Sequence, residues 1–366
     1  MKILYGIQGT GNGHITRARH MAAAFAANEN IQVDYFFSGR NKANFFDMEV
    51  FNEYAAKQGL SFVTEAGRIN HTKTLTQNNL FKFIKDIKGT QVKSYDLVLN
   101  DFEPITAWAA KRQGVPSLSV SHQAAFLNHV PKQNQTFIDK IITQHFAPTQ
   151  YNLGTHWYHF GYNIIPPFVT SELKKHAAQS RFQNIENDQI LVYLPFESID
   201  IVKEQLQVIS EWKFTCYHPS ISHAYKDANI HFKPLSTSGF KHDLLTCSGV
   251  VSNCGFELST ECLSLGKPLL VKPLQKQYEQ LSNAYTLQKL GLCDVIHSIN
   301  AEQIDDWLQT KQGVRVDYPT NCNALVDWIA EGNWKQTSQI CNSLWQEVTF
   351  PVHVKQKLDR LQQANI

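Results

Sequence analysis

One stretch decides the fold of this chain: residues 248–283, which read SGVVSNCGFELSTECLSLGKPLLVKPLQKQYEQLSN. A short strand-like run ends near Val251, Gly255 breaks it, and residues 256–265 take helical spacing. The first backbone N–H groups of such a helix have no partner within it and carry a partial positive charge. The sequence therefore predicts a strand, a glycine turn and a helix start that can hold phosphate oxygens.

The residues of this turn and helix suit a nucleotide. A side chain at Gly255 would keep a phosphate off the backbone, so glycine favours close approach. Glu261 comes about two turns into the helix, where a carboxylate can accept two hydrogen bonds from a vicinal diol such as ribose. Diphosphate at the helix start and a sugar along it is the arrangement expected for a nucleotide.

A second strand and a polar loop follow directly. Residues 269–271 are a buried parallel strand, and Pro273 opens a loop that carries Gln277, Glu279 and Gln280. In an open α/β sheet, ligands bind beyond the C-terminal ends of the strands, which is where this loop and the glycine turn are both expected.

The spacing of these residues resembles the donor-binding signature of GT-B fold glycosyltransferases. The branch it resembles most includes the bacterial peptidoglycan N-acetylglucosaminyltransferase, together with a small bacterial and archaeal glycosyltransferase-related group. The resemblance implies that Glu261 binds the donor ribose, the Gly255 turn the diphosphate and Gln280 the hydroxyls of the transferred sugar. The signature residues are Gly255, Glu261, Gly266, Pro268, Pro273, Glu279, Gln280, Asn283 and Ala284.

The same resemblance adds neighbouring residues to the predicted donor site and shows one departure. Phe256, Gln277 and Glu279 join it, as does Phe196 in a loop that reaches the diphosphate or base in relatives. Plant and antibiotic-modifying members place a phosphate-binding histidine where this chain has Asn253. The diphosphate contact is then left to backbone amides or to another loop.

Length and composition exclude several classes of protein. With 366 residues and 43% hydrophobic content, the chain fits two domains better than one. A net charge of +2 gives no support for a nucleic-acid binder, which needs a basic stripe. No apolar run approaches the ~18 residues of a membrane helix. Because residues 1–5 enter a strand directly, a cytoplasmic protein is expected.

The seven cysteines all lie in the second half of the chain. Their number is odd and no C-x-x-C spacing occurs, so they are expected to be small buried residues rather than zinc ligands or disulfides.

The N-terminus repeats the strand, loop and helix pattern. Residues 2–7 are a strand, 8–13 a glycine loop and 14–27 an alanine-rich helix. A dinucleotide fingerprint would need glycine at position 14, where this chain has His14, and an acidic residue at the end of the next strand, whereas Asp34 is in mid-strand. A dehydrogenase is therefore disfavoured.

The glycine loop instead resembles the N-terminal loop of the same transferase family, through Gly9, Gly11, Gly13 and His14. In relatives this loop lines the cleft between domains and lets acceptor and donor phosphate approach the backbone. His14 is the first candidate for the general base, because the positive end of the helix favours a neutral, proton-accepting imidazole. Capping of the helix or contact with phosphate are the alternatives for His14.

Polar residues also follow two later strands. Asp101 and Glu103 come after the strand at 95–100, and Asp101 is expected either to orient His14 or to act as the base itself. A D-x-E metal site is disfavoured because Pro104 starts a helix there. His122 follows the strand at 117–121 and is expected to bind acceptor or to be an ordinary loop histidine.

Other segments carry weaker predictions. Residues 45–51 are predicted to form a helix and residues 60–64 the third strand. The basic amphipathic segment at 68–88 is expected to pack on its own domain, with contact to an anionic membrane or a lipid-linked acceptor as the alternative.

The predicted fold class is α/β, with two doubly wound Rossmann-like domains facing across a cleft. The domain boundary falls at Pro166-Pro167. The domains are residues 1–165 on the acceptor side, 166–349 on the nucleotide-sugar side, and 350–366, a helix returning to the first domain.

The predicted function is metal-independent, inverting transfer of a sugar from a nucleotide diphosphate, with UDP as the expected carrier. No cofactor is expected beyond this substrate. The acceptor is a glycan, a lipid-linked molecule or a small molecule, and a peripheral place at the inner face of the membrane stays open. The alternatives are a nucleotide-sugar 2-epimerase and a nucleotide-sugar-binding protein without catalysis.

Overall fold

The computed structural model describes residues 1–60, 64–65, 68–69, 79–179 and 188–364. Two parallel-dominant seven-stranded sheets organise this part of the chain, and a short antiparallel hairpin lies outside them. The predicted α/β class with two Rossmann-like domains is thereby confirmed.

The first sheet is parallel throughout and has the strand order β3-β2-β1-β6-β7-β8-β9. The two strands of the hairpin are β4 and β5. The strands are β1 (Lys2–Gln8), β2 (Gln32–Ser38), β3 (Tyr54–Lys57), β4 (Thr64–Glu65), β5 (Arg68–Ile69), β6 (Leu97–Asp101), β7 (Ser117–Ser121), β8 (Tyr151–Thr155) and β9 (Ile164–Ile165). The helices are α1 (Asn12–Ala26), α2 (Leu80–Gly89), α3 (Pro104–Gln113), α4 (His122–Ala125) and α5 (Phe137–His145).

The second sheet has the order β12-β13-β11-β10-β14-β15-β16, with only β12 antiparallel. Its strands are β10 (Gln189–Tyr193), β11 (Lys213–Tyr217), β12 (Tyr225–Asp227), β13 (Ile230–Lys233), β14 (Gly249–Ser252), β15 (Leu269–Val271) and β16 (Asp294–Val295). The helices from here on are α6 (Ser171–Gln179), α7 (Ile199–Gln207), α8 (Thr237–Thr246), α9 (Phe256–Leu265), α10 (Tyr278–Leu290), α11 (Ala301–Thr310), α12 (Asn323–Glu331), α13 (Ser338–Gln346) and α14 (Val352–Ala364).

The central strands are buried on both faces, as parallel strands covered by helices must be. Every residue of β6, β7 and β14 is buried. The helices begin and end where the sequence favours: α3 starts at Pro104, and α9 is followed by the C-cap Gly266 in the left-handed conformation with φ of 70°. These elements place their loops at the C-terminal edges of the two sheets.

The chain returns to the first domain earlier than expected, because the return was predicted for the last helix, residues 350–366. Leu325 of α12 and Leu344 of α13 belong to the core beneath the first sheet. The last helix, α14, buries Val354 and Leu358 in a core of the second sheet. The crossing back therefore precedes Asn323, and within residues 350–364 the chain packs on the second domain. A proline at a helix start, such as Pro351, signals only where a helix begins and not which sheet it covers.

Two predicted elements of the first domain are wrong. Short 3-10 turns at Lys42–Asn44 and Glu49–Phe51 replace the predicted helix at 45–51, because Asp47 adopts a φ of 52°, which an α-helix excludes. The third strand of the sheet is Tyr54–Lys57 rather than 60–64, and residues 61–63 lie outside the described part of the chain. Pairing with β2 at the sheet edge outweighs the low strand propensity of alanine.

Helix α2 carries part of the basic amphipathic segment. Phe83 is partly buried against the core that α3 covers, whereas Leu80, Phe81 and Ile84 are exposed. Residues 70–78 of the segment lie outside the described residues. Packing on its own domain is thus observed for α2, and contact with a membrane stays a prediction.

Two further features of the described residues concern membrane-spanning helices and the state of the cysteines. None of the described helices has the length and apolar content needed to span a bilayer. All seven cysteines are free thiols, and only Cys293 is not fully buried.

The packing of α13 gives a prediction for stability. Replacing Leu344, which is 0% exposed, with alanine leaves a cavity in the first core, so we expect destabilisation of roughly 2–5 kcal/mol in urea unfolding. Ser343→Ala on the exposed face of the same helix is the control, with an expected change within about 0.5 kcal/mol. Equal effects of the two substitutions would show that α13 is not part of that core.

Candidate active site

The glycine loop of the first domain joins β1 to α1 at the C-terminal edge of the sheet. Gly11 is the N-cap of α1 and no side chain caps the helix. A Cβ atom at Gly11 would meet no atom within 4 Å, whereas one at Gly9 would collide with the Phe45 ring at 2.6 Å. Gly9 is therefore required by packing, and Gly11 leaves open space at a helix start.

His14 lies in the first turn of α1 and forms a pair with Asp101 at the end of β6. The His14 Nδ1–H group donates to Asp101 Oδ1 over 2.9 Å, which leaves Nε2 as the proton-accepting nitrogen. Arg17 donates to both oxygens of Asp101, from Nε over 2.9 Å and from Nη2 over 2.9 Å. Burial of Asp101 favours its neutral form, but Arg17 and His14 outweigh burial and lower its pKa to about 2.

This geometry separates the two candidates for the base. Asp101 is fully buried, and Arg17 and His14 occupy its carboxylate. A carboxylate with so low a pKa accepts a proton poorly near neutrality. The arrangement therefore favours His14 as the group that accepts a proton and Asp101 as the group that orients it.

The second domain presents a matching helix start at the C-terminal edge of its sheet. Gly255 is the N-cap of α9, without a side-chain cap, and a Cβ atom there would meet nothing within 4 Å. Glu257, in the first turn of α9, accepts a hydrogen bond from Arg17 Nη1 of the first domain. A Cβ atom at Gly13 would lie 3.2 Å from Glu257 Cγ, so glycine at this position permits the two helix starts to approach.

Glu257 and Glu261 are one helical turn apart on α9. Burial is the main cause that raises the pKa of Glu257 to about 7, against the opposing charge of Arg17. Burial and the neighbouring Glu257 likewise raise the pKa of Glu261 to about 7. Both carboxyl groups therefore titrate close to neutrality.

Glu279, at the start of α10, reaches the His14 region through Gln123 of the first domain. Gln123 Nε2 donates to Glu279 Oε2 over 2.9 Å, and the same nitrogen lies 3.5 Å from His14 Nε2. The predicted base and a predicted donor-binding residue are thus brought together by a residue from a third segment.

His122 is buried in the contact between the domains. Its Nδ1–H group donates to the Thr155 carbonyl oxygen over 3.0 Å, and its Nε2 lies 2.7 Å from Asn283 Oδ1. Its ring stacks on Phe256 with 4.0 Å between centroids. Because Phe256 is also only 6% exposed, both rings pack between the domains, and ligand binding by either residue stays a prediction.

Asn253 is likewise engaged within the protein. Its Nδ2 donates to Glu197 Oε1 over 3.2 Å and to the Lys272 carbonyl oxygen over 2.9 Å. Lys272 Nζ donates to Glu197 Oε1 over 2.7 Å, and both of these charged side chains are less than 10% exposed. Phe196, next to Glu197, is half-buried at the same edge of the sheet.

Gln277 and Gln280 shape the loop before α10. The Gln277 side chain caps the helix by accepting from the Gln280 N–H group, and Gln280 Oε1 accepts from the Leu274 N–H group over 2.9 Å. These contacts hold the loop in place beside Glu279.

Asp101 and Glu103, the residues of the D-x-E alternative for a metal site, make separate contacts. Glu103 accepts hydrogen bonds from the Ser38 hydroxyl over 2.6 Å and from the N–H groups of Ile105 and Thr106 over 2.8 and 2.7 Å. Its carboxylate caps α3, while that of Asp101 faces His14 and Arg17. The two carboxylates therefore serve different contacts, and metal independence stays a prediction.

Three residues of this site were not predicted from the sequence: Arg17, Gln123 and Glu257. Arg17 follows His14 by three residues, a spacing that places both on one helix face, and this signal could have identified it. Asn283 belongs to the donor signature without an assigned role. Nothing local distinguishes Gln123 or Glu257, because their partners lie 156 and 240 residues away.

Comparison with known proteins identifies the family. The model of "Glycosyl transferase family 1" matches residues 1–311. This chain belongs to that family. No curated protein matches the sequence significantly.

Solved glycosyltransferases share the fold. They include UGT89C1 of Arabidopsis thaliana complexed with UDP, with 12% identity, 99% coverage of each chain and a TM-score of 0.53. SsfS6 of Streptomyces sp. SF2575, complexed with thymidine diphosphate, has 13% identity over 90% of this chain and 99% of that one, with a TM-score of 0.54. SnogD of Streptomyces nogalater has 16% identity over 85% and 91%, with a TM-score of 0.51.

The family match and these structures confirm the resemblance to GT-B fold glycosyltransferases. The family 1 protein described here is a glycosyltransferase, and its chemistry is sugar transfer.

The raised pKa of Glu257 gives a prediction for stability against pH. The folded protein keeps the Glu257 proton up to about pH 7, whereas the unfolded chain releases it near 4.5, so the free energy of unfolding falls as pH rises between these values. Glu257→Gln removes this contribution, and we expect the loss of stability between pH 5 and pH 8 to shrink by roughly 1–3 kcal/mol. Urea unfolding at both pH values measures it.

The control is Glu204→Gln on the exposed face of α7, which should leave the loss unchanged. Burial still raises the pKa of Glu261 in every variant, so part of the pH-dependent loss of stability remains in Glu257→Gln. A Glu257→Gln protein with the pH dependence of the unaltered protein would contradict the raised pKa.

Proposed function

We propose that this glycosyltransferase moves a sugar from a nucleotide diphosphate, with UDP as the expected carrier, to an acceptor hydroxyl, with inversion at C1 and without a metal ion. One observation carries the proposal: Arg17 joins the His14–Asp101 pair to Glu257, in the first turn of the helix that Gly255 caps. The nucleotide diphosphates bound by UGT89C1 and SsfS6 support this donor class.

In this mechanism His14 Nε2 accepts the proton of the acceptor hydroxyl. The acceptor oxygen attacks C1 of the sugar, and the bond between C1 and the diphosphate oxygen breaks with its electron pair leaving on the diphosphate. Asp101 holds the Nδ1–H tautomer and stabilises the imidazolium that forms. Attack opposite the leaving group inverts the configuration at C1.

The departing diphosphate needs positive charge. The N–H groups at the start of α9 point away from the helix and carry the positive end of its dipole. Arg17 adds a cation beside that helix start, through its contact with Glu257. Fixed dipoles and a fixed cation suit this role because they need no reorganisation during the reaction.

We assign the donor nucleotide to the same helix, α9, by analogy with the donor site of GT-B fold glycosyltransferases. We assign the ribose to Glu261, which is half-buried one turn beyond Glu257, and the transferred sugar to the region of Glu279. The acceptor class stays open among glycans, lipid-linked molecules and small molecules.

The ribose assignment predicts a binding defect. Glu261→Ala removes the carboxylate that accepts from the ribose hydroxyls, so we expect UDP affinity to fall about 10-fold or more in calorimetry. The exposed Glu204→Ala variant on α7 is the control and should bind UDP normally. Unchanged UDP affinity in Glu261→Ala would remove Glu261 from the donor site.

The base assignment predicts a separate defect. His14→Ala should lower turnover, measured as transfer or slow hydrolysis of a radiolabelled UDP-sugar, by roughly 10²–10⁴-fold while leaving UDP affinity close to normal. Asp101→Asn should also lower turnover, because it disturbs the tautomer of His14. Full turnover in His14→Ala would exclude it as the base, and conversion of the sugar to its 2-epimer without transfer would favour the epimerase alternative.

A further inference from the structure

Gln123 occupies an unusual position for a residue outside the predicted site. It lies in the short helix α4, directly after β7, at the same sheet edge as His14 and Asp101. The residue is only 7% exposed. Its amide therefore belongs to the interior of the contact between the domains.

The orientation of this amide is fixed by its neighbours. A carboxylate only accepts hydrogen bonds, so the NH₂ group of Gln123 must face Glu279 Oε2, 2.9 Å away. The carbonyl oxygen Oε1 is then turned elsewhere. Within the described part of the chain, this buried oxygen has no hydrogen-bond partner.

An unpaired buried oxygen is unfavourable and calls for an explanation. The position of Gln123 supplies one. The amide lies between Glu279 of the second domain and His14 Nε2, which is 3.5 Å from Gln123 Nε2. The nitrogen that takes the acceptor proton must be near C1 of the transferred sugar, so the ring hydroxyls come next to this amide.

We propose that Gln123 is a binding residue for the transferred sugar, acting from the first domain as the partner of Glu279. The proposal rests on the proposed function. One ring hydroxyl donates to Gln123 Oε1, and a neighbouring hydroxyl donates to Glu279. The ligand class is a hexose ring with a vicinal diol, held by both domains at once.

The experiment compares UDP with UDP-glucose and UDP-N-acetylglucosamine by calorimetry, so no acceptor is needed. Gln123→Ala is expected to leave the affinity for UDP unchanged and to weaken whichever UDP-sugar binds by about 5–10-fold, the loss of one hydrogen bond. Gln123→Asn keeps the amide but withdraws it by one methylene, and it should show the same selective loss. It replaces the alanine variant in the experiment if that variant does not fold.

Gln135→Ala is the matched control. Gln135 also lies in the first domain and donates across to the second, from Nε2 to the Tyr278 hydroxyl over 2.8 Å, but its partner is not Glu279 or His14. If loss of a contact between domains is all that matters, both glutamine variants will change UDP and UDP-sugar affinities alike.

The outcomes separate the two ideas. A selective loss for the UDP-sugar in the Gln123 variants, absent in Gln135→Ala, supports the proposal. Equal changes for UDP and UDP-sugar in the Gln123 variants overturn it and leave the proposed function standing. Failure of the unaltered protein to bind any of the three nucleotides overturns both.

Discussion

A buried arginine contacts both halves of this enzyme at the candidate active site. Arg17, with an 11% exposed side chain, binds Asp101 at the end of β6 and Glu257 at the start of α9. A buried charge without a partner is far more costly than a paired one, so each of these three groups requires the others. The contact fixes the first turn of α1 relative to the first turn of α9. The orientation of His14 by Asp101 and the close approach of Glu257 to Gly13 both depend on it.

The same contact sets the charge that a donor would meet. Glu257 already places a carboxyl group at the N-terminus of α9, the position proposed for the diphosphate. Two anions at one helix start repel each other, and repulsion favours the protonated carboxyl group. Because burial already raises the pKa of Glu257 to about 7, proton uptake by Glu257 requires little free energy near neutral pH. The proposed donor site can thus accept a diphosphate while Arg17 keeps its hydrogen bonds to Asp101.

The elements that depend on the pattern of neighbouring residues in the sequence were predicted. Strand, glycine turn and helix recur at residues 2–26 and 249–265, and parallel pairing brings their loops to one edge of each sheet. The contacts between the domains could not be predicted in this way. Arg17 and Glu257 are 240 residues apart, and no periodicity encodes which side chains meet after two sheets face each other. The edge strand β3 was missed for a related reason, since its alanines form a strand only through pairing with β2.

The departure at Asn253 has a physical consequence for the donor site. Asn253 contacts the backbone of Lys272, whose side chain is 4% exposed and bonded to Glu197, and separating a buried ion pair costs several kcal/mol. Lys272 therefore neutralises Glu197. Positive charge toward the cleft comes instead from the first domain, where Arg17 binds Glu257 and Arg40 donates to Asn12 Oδ1 over 3.0 Å beside the glycine loop. In the proposed diphosphate site the cationic side chain is thus supplied by the first domain, and stabilisation of the leaving group would require the two domains to be in contact.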